Sequence, residues 1–276
     1  MKEGVINIGD TERRSLKVPK LDFDEAVKEI TGFIKETTEA AKAEGVVIGL
    51  SGGVDSSLTA TLCVHALGRE KVLGILMPTA FTPHQDVEDA LKLADWLRIR
   101  KELVDIQGLS EAFFKALHCS QDDPKQRIPT ANIRARTRMV ILYYYANLNK
   151  YLVAGTGNRS ERLIGYFTKH GDGGVDFAPI AHLYKTQVRE LAKHLGLPKG
   201  IVSKPSSPQL YPGHRATDEL PLSYEKLDSI LVGLFDQKLS AKEVSQLTDI
   251  PIRVVEDVLH RFNVSQHKRI YPPMVR

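Results

Sequence analysis

The chain has 276 residues, 42% of them hydrophobic and 26% charged, which is the balance of a soluble globular protein with length for one large α/β domain or a domain with a helical appendix. Its net charge of +4 suits an anionic ligand, but the charges are spread without a dense Lys/Arg tract, which argues against nucleic acid as a partner. The longest apolar run, residues 139–146, is too short to span a bilayer, and the polar first twenty residues predict no secretory signal. Cys63 and Cys119 are too far apart for a metal knuckle or a C-x-x-C pair, which fits a reducing cytosol.

Residues 1–21 lack a regular pattern, carry Arg13 and Arg14, and read as an arm. From Asp22, the residues Phe23, Val27, Ile30, Phe33 and Ile34 recur at helical spacing, with Asp22 as N-cap, Glu25 three residues on and Gly45 past the end. This helix is expected to cover a sheet or a partner subunit. Residues 46–50 then form a strand, Ser51-Gly52-Gly53 a turn, and 56–67 a helix ended by Gly68. Strand, glycine turn and helix make an anion site: the glycines let backbone N–H groups close round a phosphate, and the helix start adds unpaired donors. The Walker A lysine is missing, and Asp55 and Ser56 stand in its place. A carboxylate beside phosphates implies a cation between them, which makes Asp55 a candidate Mg²⁺ ligand and Ser51, Ser56 and Ser57 candidate hydroxyl donors.

A strand at 72–77, a helix at 84–97 and a strand at 102–106 continue the alternation, which predicts parallel βαβ crossovers with ligands beyond the carboxyl ends of the strands. After a helix at 109–117, the polar, proline-bounded residues 121–129 read as a loop, followed by a long helix at 130–149. There Arg134 and Arg138 share a face, and Arg136 is rotated from Arg134 by about 200°. Taken singly, each arginine is expected in solvent, and Tyr143, Tyr144 and Tyr145 in packing.

A fourth strand at 151–154 runs into Gly155-Thr156-Gly157-Asn158-Arg159-Ser160-Glu161 and then into residues 165–176. A loop so rich in glycine and charge, directly after a parallel strand, is placed for a ligand and supplies a second carboxylate and a base. Lys185 opens a helix at 185–195. Residues 203–222, with Pro205, Pro208, Pro212 and Pro221, read as a loop or lid. Helices follow at 223–237, 240–247 and 251–262, with a capping box at Ser240 and Glu243 and Pro251 at a first helical position. The last two resemble a helix-turn-helix, but Arg253, Glu256 and Asp257 make no phosphate-seeking face, so a packing unit is expected.

The run Ser51-Gly52-Gly53-Val54-Asp55-Ser56 resembles the pyrophosphate loop of the N-type ATP pyrophosphatases. The runs GTGNRSE, GYFTKHGDGGVD and PIAHLYKTQVRELA, with NIRARTRM and QHKRIYPP, narrow that resemblance to ammonia-dependent NAD synthetase. It implies an α/β fold: a Rossmann-like doubly wound parallel sheet with flanking helices, in one domain over 1–276 with an arm at 1–21 and a helical extension at 223–276. It implies an ATP site at Gly49, Leu50, Ser51, Gly52, Gly53, Val54, Asp55, Ser56 and Ser57, joined by Thr156, Lys185 and Ser207. Asp55 and Glu161 match the family's Mg²⁺ ligands; Arg136, Lys169, Asp176, His267 and Lys268 match its contacts to deamido-NAD, the last two across a subunit interface. In the lid, KPSSPQLYPGHRATDE departs from the family pattern, because His214-Arg215-Ala216 lengthens the turn and removes a Gln. Ser206 and Ser207 are therefore alternatives.

The activity so implied is synthesis of NAD from nicotinic acid adenine dinucleotide, ATP and ammonia through an acyl-adenylate, with AMP and pyrophosphate released, in a cytoplasmic homodimer. Lys185 would offset phosphate charge. Asp172 or Asp176 would take the proton of ammonia, and Asp172 is the choice. No amidase nucleophile is recognisable, so ammonia is expected from solution or a partner. The alternatives are a GMP synthetase-type subunit, a tRNA thiolase, whose cysteines would belong in the motifs that Cys63 and Cys119 lie outside, and a nucleotide-responsive DNA-binding regulator, which has little use for Asp55 and Glu161 together.

Overall fold

The two most apolar short runs of the chain become its central strands, β1 (Gly45–Gly49) and β2 (Val72–Leu76), both walled in by protein as parallel strands require. This computed structural model describes residues 16–120, 123–205, 211 and 222–275. The more exposed β3 (Arg100–Leu103) pairs with β2, and β4 (Tyr151–Val153) pairs with the free side of β1, giving the parallel order β3-β2-β1-β4. The chain thus steps outward from β1 through β2 to β3 and then crosses back to β4. That reversal opens a crevice at the carboxyl ends of β1 and β4, the switch point where such sheets hold ligands.

Helices cover both faces. On one, α1 (Phe23–Ala40), α2 (Val54–Leu67), α3 (His84–Leu97) and α7 (Lys185–His194) enclose the largest apolar cluster, which includes Ile34, Ile48, Leu58 and Leu191. Asp22 caps α1 by accepting the Glu25 N–H at 3.1 Å, as expected. The buried stripe Ala26, Ile30 and Ile34 packs α1 onto α2, while Phe33 beside it stays 44% exposed. On the other face, α5 (Arg127–Asn149) lies over Val47, Ile75 and Val153, next to the short α4 (Gln107–Ala116).

α5 begins inside the stretch expected to be a loop. Pro129 falls in its first turn, where an N–H would lack an intrahelical partner, so the proline does no harm there. The arginines divide. Arg136 is exposed as expected, whereas Arg134 is buried against the rings of Phe81 and Phe114, and Arg138 donates to the Met77 carbonyl at 3.1 Å. Burial, with Arg134 nearby, pushes the Arg138 guanidinium down to about 10. Tyr144 is exposed, contrary to the packing expectation, because its side of α5 faces away from the sheet.

The tail builds a second apolar cluster. In it α9 (Tyr224–Leu231), a π-helical turn at Val232–Asp236, α10 (Ala241–Thr248) and α11 (Ile252–Val264) pack through Leu227, Ile230, Val244, Val255 and Val258, with Leu16 and Ile164 added from elsewhere. The capping box at Ser240 and Glu243 forms; Pro251 is the N-cap of α11, one place before its first helical residue. Two short α-helices, α6 (Arg159–Leu163), after β4, and α8 (Lys199–Val202), are not among the expected helices, and single 3-10 turns lie at Arg69–Lys71, Pro124–Gln126 and Gln266–Lys268.

Candidate active site

At the carboxyl end of β1 the chain turns through Ser51, Gly52 and Gly53 into α2. Gly52 holds a φ of 74° and is packed against the start of α3. The Ser56 and Ser57 hydroxyls fold back and donate to the Gly53 carbonyl at 3.1 and 2.8 Å, and the Ser51 N–H donates to Ser56 Oγ at 3.3 Å. These two serines shape the loop from inside. Gly49, Leu50, Ser51, Gly53, Val54 and Asp55 instead line a cavity of about 520 Å³ above the strand ends.

Across the cavity, α6 presents Glu161. Asn158 is its N-cap: the Asn158 side chain accepts the Glu161 N–H at 3.0 Å while its amide donates to Asp55 Oδ1 at 2.9 Å. One asparagine therefore orients both acids, and the N-x-x-E spacing that makes a capping box was visible in the chain. Lys185, the first residue of α7, has a side chain only 2% exposed, and its ammonium sits between the acids, donating to Asp55 Oδ2 and, at 3.2 Å, to Glu161 Oε1. The cluster is one cation against two carboxylates. Burial pushes the Glu161 carboxyl well above the usual carboxylate range, against the pull of Lys185. Burial also works against the Lys185 charge, but Asp55 and Glu161 more than offset it and raise its pKa.

Tyr224 on α9 closes the cluster: its hydroxyl donates to Glu161 Oε1 at 3.4 Å and its ring lies 5.2 Å from the Lys185 ammonium. Nothing local in the chain marks this tyrosine, nor the cavity-lining Arg138 and Lys204. The expected Thr156, Asp172 and Lys268 also line the cavity. Asp172 reaches solvent through it, yet the surrounding walls push its carboxyl upward while the Thr168 N–H, at 2.8 Å, and Lys268 pull the other way.

Arg136, Lys169, Asp176 and His267 are not part of the cavity wall. Arg136 donates to the Lys169 carbonyl at 3.3 Å and Lys169 to that of His267 at 2.9 Å, a basic chain continued by Lys268, which donates to the carbonyls of Gly165 and Phe167. Asp176 accepts from Tyr143 at 3.0 Å and from the Val153 N–H at 2.7 Å. Ser206 and Ser207 lie outside the described residues.

The chemistry of the central cluster suits a hard cation. Two carboxylates converge on one point, and among the described residues no group of three or more His, Cys, Asp or Glu holds a metal alone. Such a pair fits a hard cation that takes its remaining ligands from elsewhere, as phosphate oxygens would supply.

The NAD synthase family model covers residues 26–272. The chain belongs to the NAD synthase family. It is 50% identical over 254 residues to the NH(3)-dependent NAD(+) synthetase of Hyperthermus butylicus, which spans 92% of this chain and 91% of that one. Among solved structures, it is similar to NMN synthetase from Francisella tularensis, with a TM-score of 0.80 and 33% identity over 93% of this chain and 99% of that one. It is also similar to the NH3-dependent NAD synthetase of Campylobacter jejuni in complex with nitrate, with a TM-score of 0.78 and 32% identity over 93% and 100%. Membership in the NAD synthase family makes the protein an ATP-using carbon-nitrogen ligase, as its motifs implied. It also removes the thiolase and regulator alternatives.

Proposed function

We propose that this site makes NAD from nicotinic acid adenine dinucleotide, ATP and ammonia, in the order adenylation then amination. The observation that carries the reading is the meeting of Asp55, Glu161 and Lys185 at one point under the glycine loop, with Asp172 in the same cavity.

In the first step an oxygen of the nicotinate carboxylate bonds to the α-phosphorus of ATP. The bond from that phosphorus to the oxygen bridging to the β-phosphate breaks, and pyrophosphate leaves with the electron pair. The positive start of α2 and the Lys185 ammonium offset the charge that builds on these phosphates, and Thr156 adds a hydroxyl. Asp55 and Glu161 would hold a Mg²⁺, which supplies charge neutralisation at the phosphate oxygens. In the second step ammonia attacks the acyl carbon, a proton passes to the Asp172 carboxylate, and the bond to AMP breaks. The basic chain Arg136, Lys169, His267 and Lys268 suits the pyrophosphate of the dinucleotide, and Asp176, held by Tyr143, suits a ribose hydroxyl. Ser207, or Ser206 in its place, completes the ATP contacts.

The same reading takes the chain as one ATP pyrophosphatase domain over 1–276, with an arm at 1–21 and a helical extension at 223–276. It acts as a homodimer, and the support lies on α5: Val140, Tyr144 and Leu148 follow one another at four-residue spacing and are 61%, 61% and 65% exposed. No helix among the described residues is long and apolar enough to cross a membrane, and we place the enzyme in the cytoplasm.

The test is one reaction of protein, ATP, Mg²⁺, ammonium and substrate acid, with each component omitted in turn. NAD and AMP forming in step, without ADP, is the expected result. Because one structural relative is an NMN synthetase, nicotinic acid mononucleotide is run alongside the dinucleotide; NMN in place of NAD overturns the substrate. No AMP with either acid overturns the reading as a whole.

A further inference from the structure

Helix α9 belongs to the C-terminal tail, yet two of its side chains reach the catalytic cluster from behind. Tyr224 and Asp228 stand four residues apart, on one helical face. Asp228 is 0% exposed and accepts three hydrogen bonds: from Ser160 Oγ at 2.5 Å, from the Thr186 N–H at 3.0 Å and from Thr186 Oγ1 at 2.8 Å. Ser160 Oγ in turn accepts the Lys185 N–H at 2.9 Å. One carboxylate therefore ties the first turn of α6, which carries Glu161, to the first turn of α7, which begins with Lys185.

A buried carboxylate is a costly device for holding two helices together, and among the described residues no cation pairs with this one. The need arises at the start of α7. The residue before Lys185 is Tyr184, which has no short side-chain oxygen to cap the helix, and its hydroxyl is committed to Asp236 at 2.8 Å. The donor of Thr186 is thus met by an acceptor 42 residues farther along the chain, aligned with the positive end of the helix. An asparagine in that place accepts on one side only, because its other branch is a donor.

We propose that Asp228 is a positioning residue for the adenylation step, fixing the starts of α6 and α7 so that Glu161 and Lys185 meet Asp55 at one point. The inference rests on the reading of Lys185 as the residue that meets the ATP phosphates. Asp228 itself touches neither substrate nor the reacting atoms.

The readout is ATP–pyrophosphate exchange with nicotinic acid adenine dinucleotide and no ammonia, which reports adenylation alone, set beside single-turnover amination of preformed adenylate. Asp228→Asn is expected to slow exchange by about 10- to 100-fold, the usual effect of losing a support behind a ligand or catalytic group, and to leave amination within about twofold. An unfolded fraction would slow both steps by one factor. Ser160→Ala removes the bond to α6 and Thr186→Val one of the two bonds to α7; each is expected to slow exchange by about 3- to 10-fold, and Ser160→Ala added to Asp228→Asn is expected to cost little more, since both act in one network. Should Asp228→Asn fail to fold, the two branch variants decide. Wild-type exchange in those variants, or equal slowing of both steps, overturns the proposal. Lys185→Met is the control: wild-type exchange there overturns the reading of the site and this inference with it, whereas its loss beside wild-type exchange in Asp228→Asn overturns the inference alone.

Discussion

A Cβ placed on Gly52 would stand 2.2 Å from the carbonyl oxygen of Asp86. The contact is with backbone, so no side chain can swing away, and the φ of 74° adds strain of ~1 kcal/mol for any residue with a Cβ. At Gly53 the nearest obstacle is the tip of Ser51, at 3.3 Å. Gly52→Ala is therefore expected to displace the loop and weaken ATP binding by at least about tenfold, and Gly53→Ala to do much less. Calorimetric titration with ATP checks the pair; equal losses would remove the packing argument.

Lys204 holds the same loop from the other side. Its ammonium donates to the Gly52 carbonyl at 3.2 Å, to Asp86 Oδ1 at 2.6 Å and to Asp89 Oδ2 at 2.5 Å. The three side chains are only partly solvated, so the effect of Lys204→Met should fall between that of an exposed pair and that of a buried one, about 2 kcal/mol. Denaturant unfolding gives the number, and a value within error of zero would show that the clamp is idle.

The carboxyl of Asp172 is raised by the walls around it, so in the acid range the folded protein binds its proton more tightly than the unfolded chain does. That contribution to stability is complete below the ordinary value near ~3.9 and is lost as pH rises through the raised one. Asp172→Asn lacks it. The melting temperature of the wild type relative to the variant is therefore expected to fall as pH rises from about 4 toward neutrality. If Asp172 accepts the ammonia proton, the variant also slows amination by about 10²-fold while pyrophosphate exchange continues. Full ammonia-dependent turnover would end that assignment.

Val140 and Tyr144 are exposed neighbours on α5. If a second copy covers them, Val140→Asp places a charge in an apolar interface and should shift the mass in light scattering from two chains to one. An unchanged mass would move the interface elsewhere.

The chain itself determined whatever depends on near neighbours: the apolar runs of β1 and β2, the turn at Gly52 and Gly53, the N-cap of α1, the capping box at Asn158 and Glu161, and the opening of α7 at Lys185. Each rests on backbone geometry and donors within a few residues; these features pointed to Asp55 and to a second carboxylate after β4, and the resemblance to the NAD synthetases put the roles on Glu161 and Lys185. Their order along the chain also implied the alternating parallel sheet. What only tertiary packing decided was which side of an element is covered and by what. Periodicity set Arg134 and Arg138 apart from Arg136, but the aromatic rings and the Met77 carbonyl that bury the first two come from distant segments. The same holds for α1, whose buried stripe went to α2. Tyr224 and Asp228 look like ordinary residues of a packing helix. Their contact with the site depends on a fold that brings the tail back over α6 and α7, and a hydrogen bond across such a separation leaves no mark in local sequence.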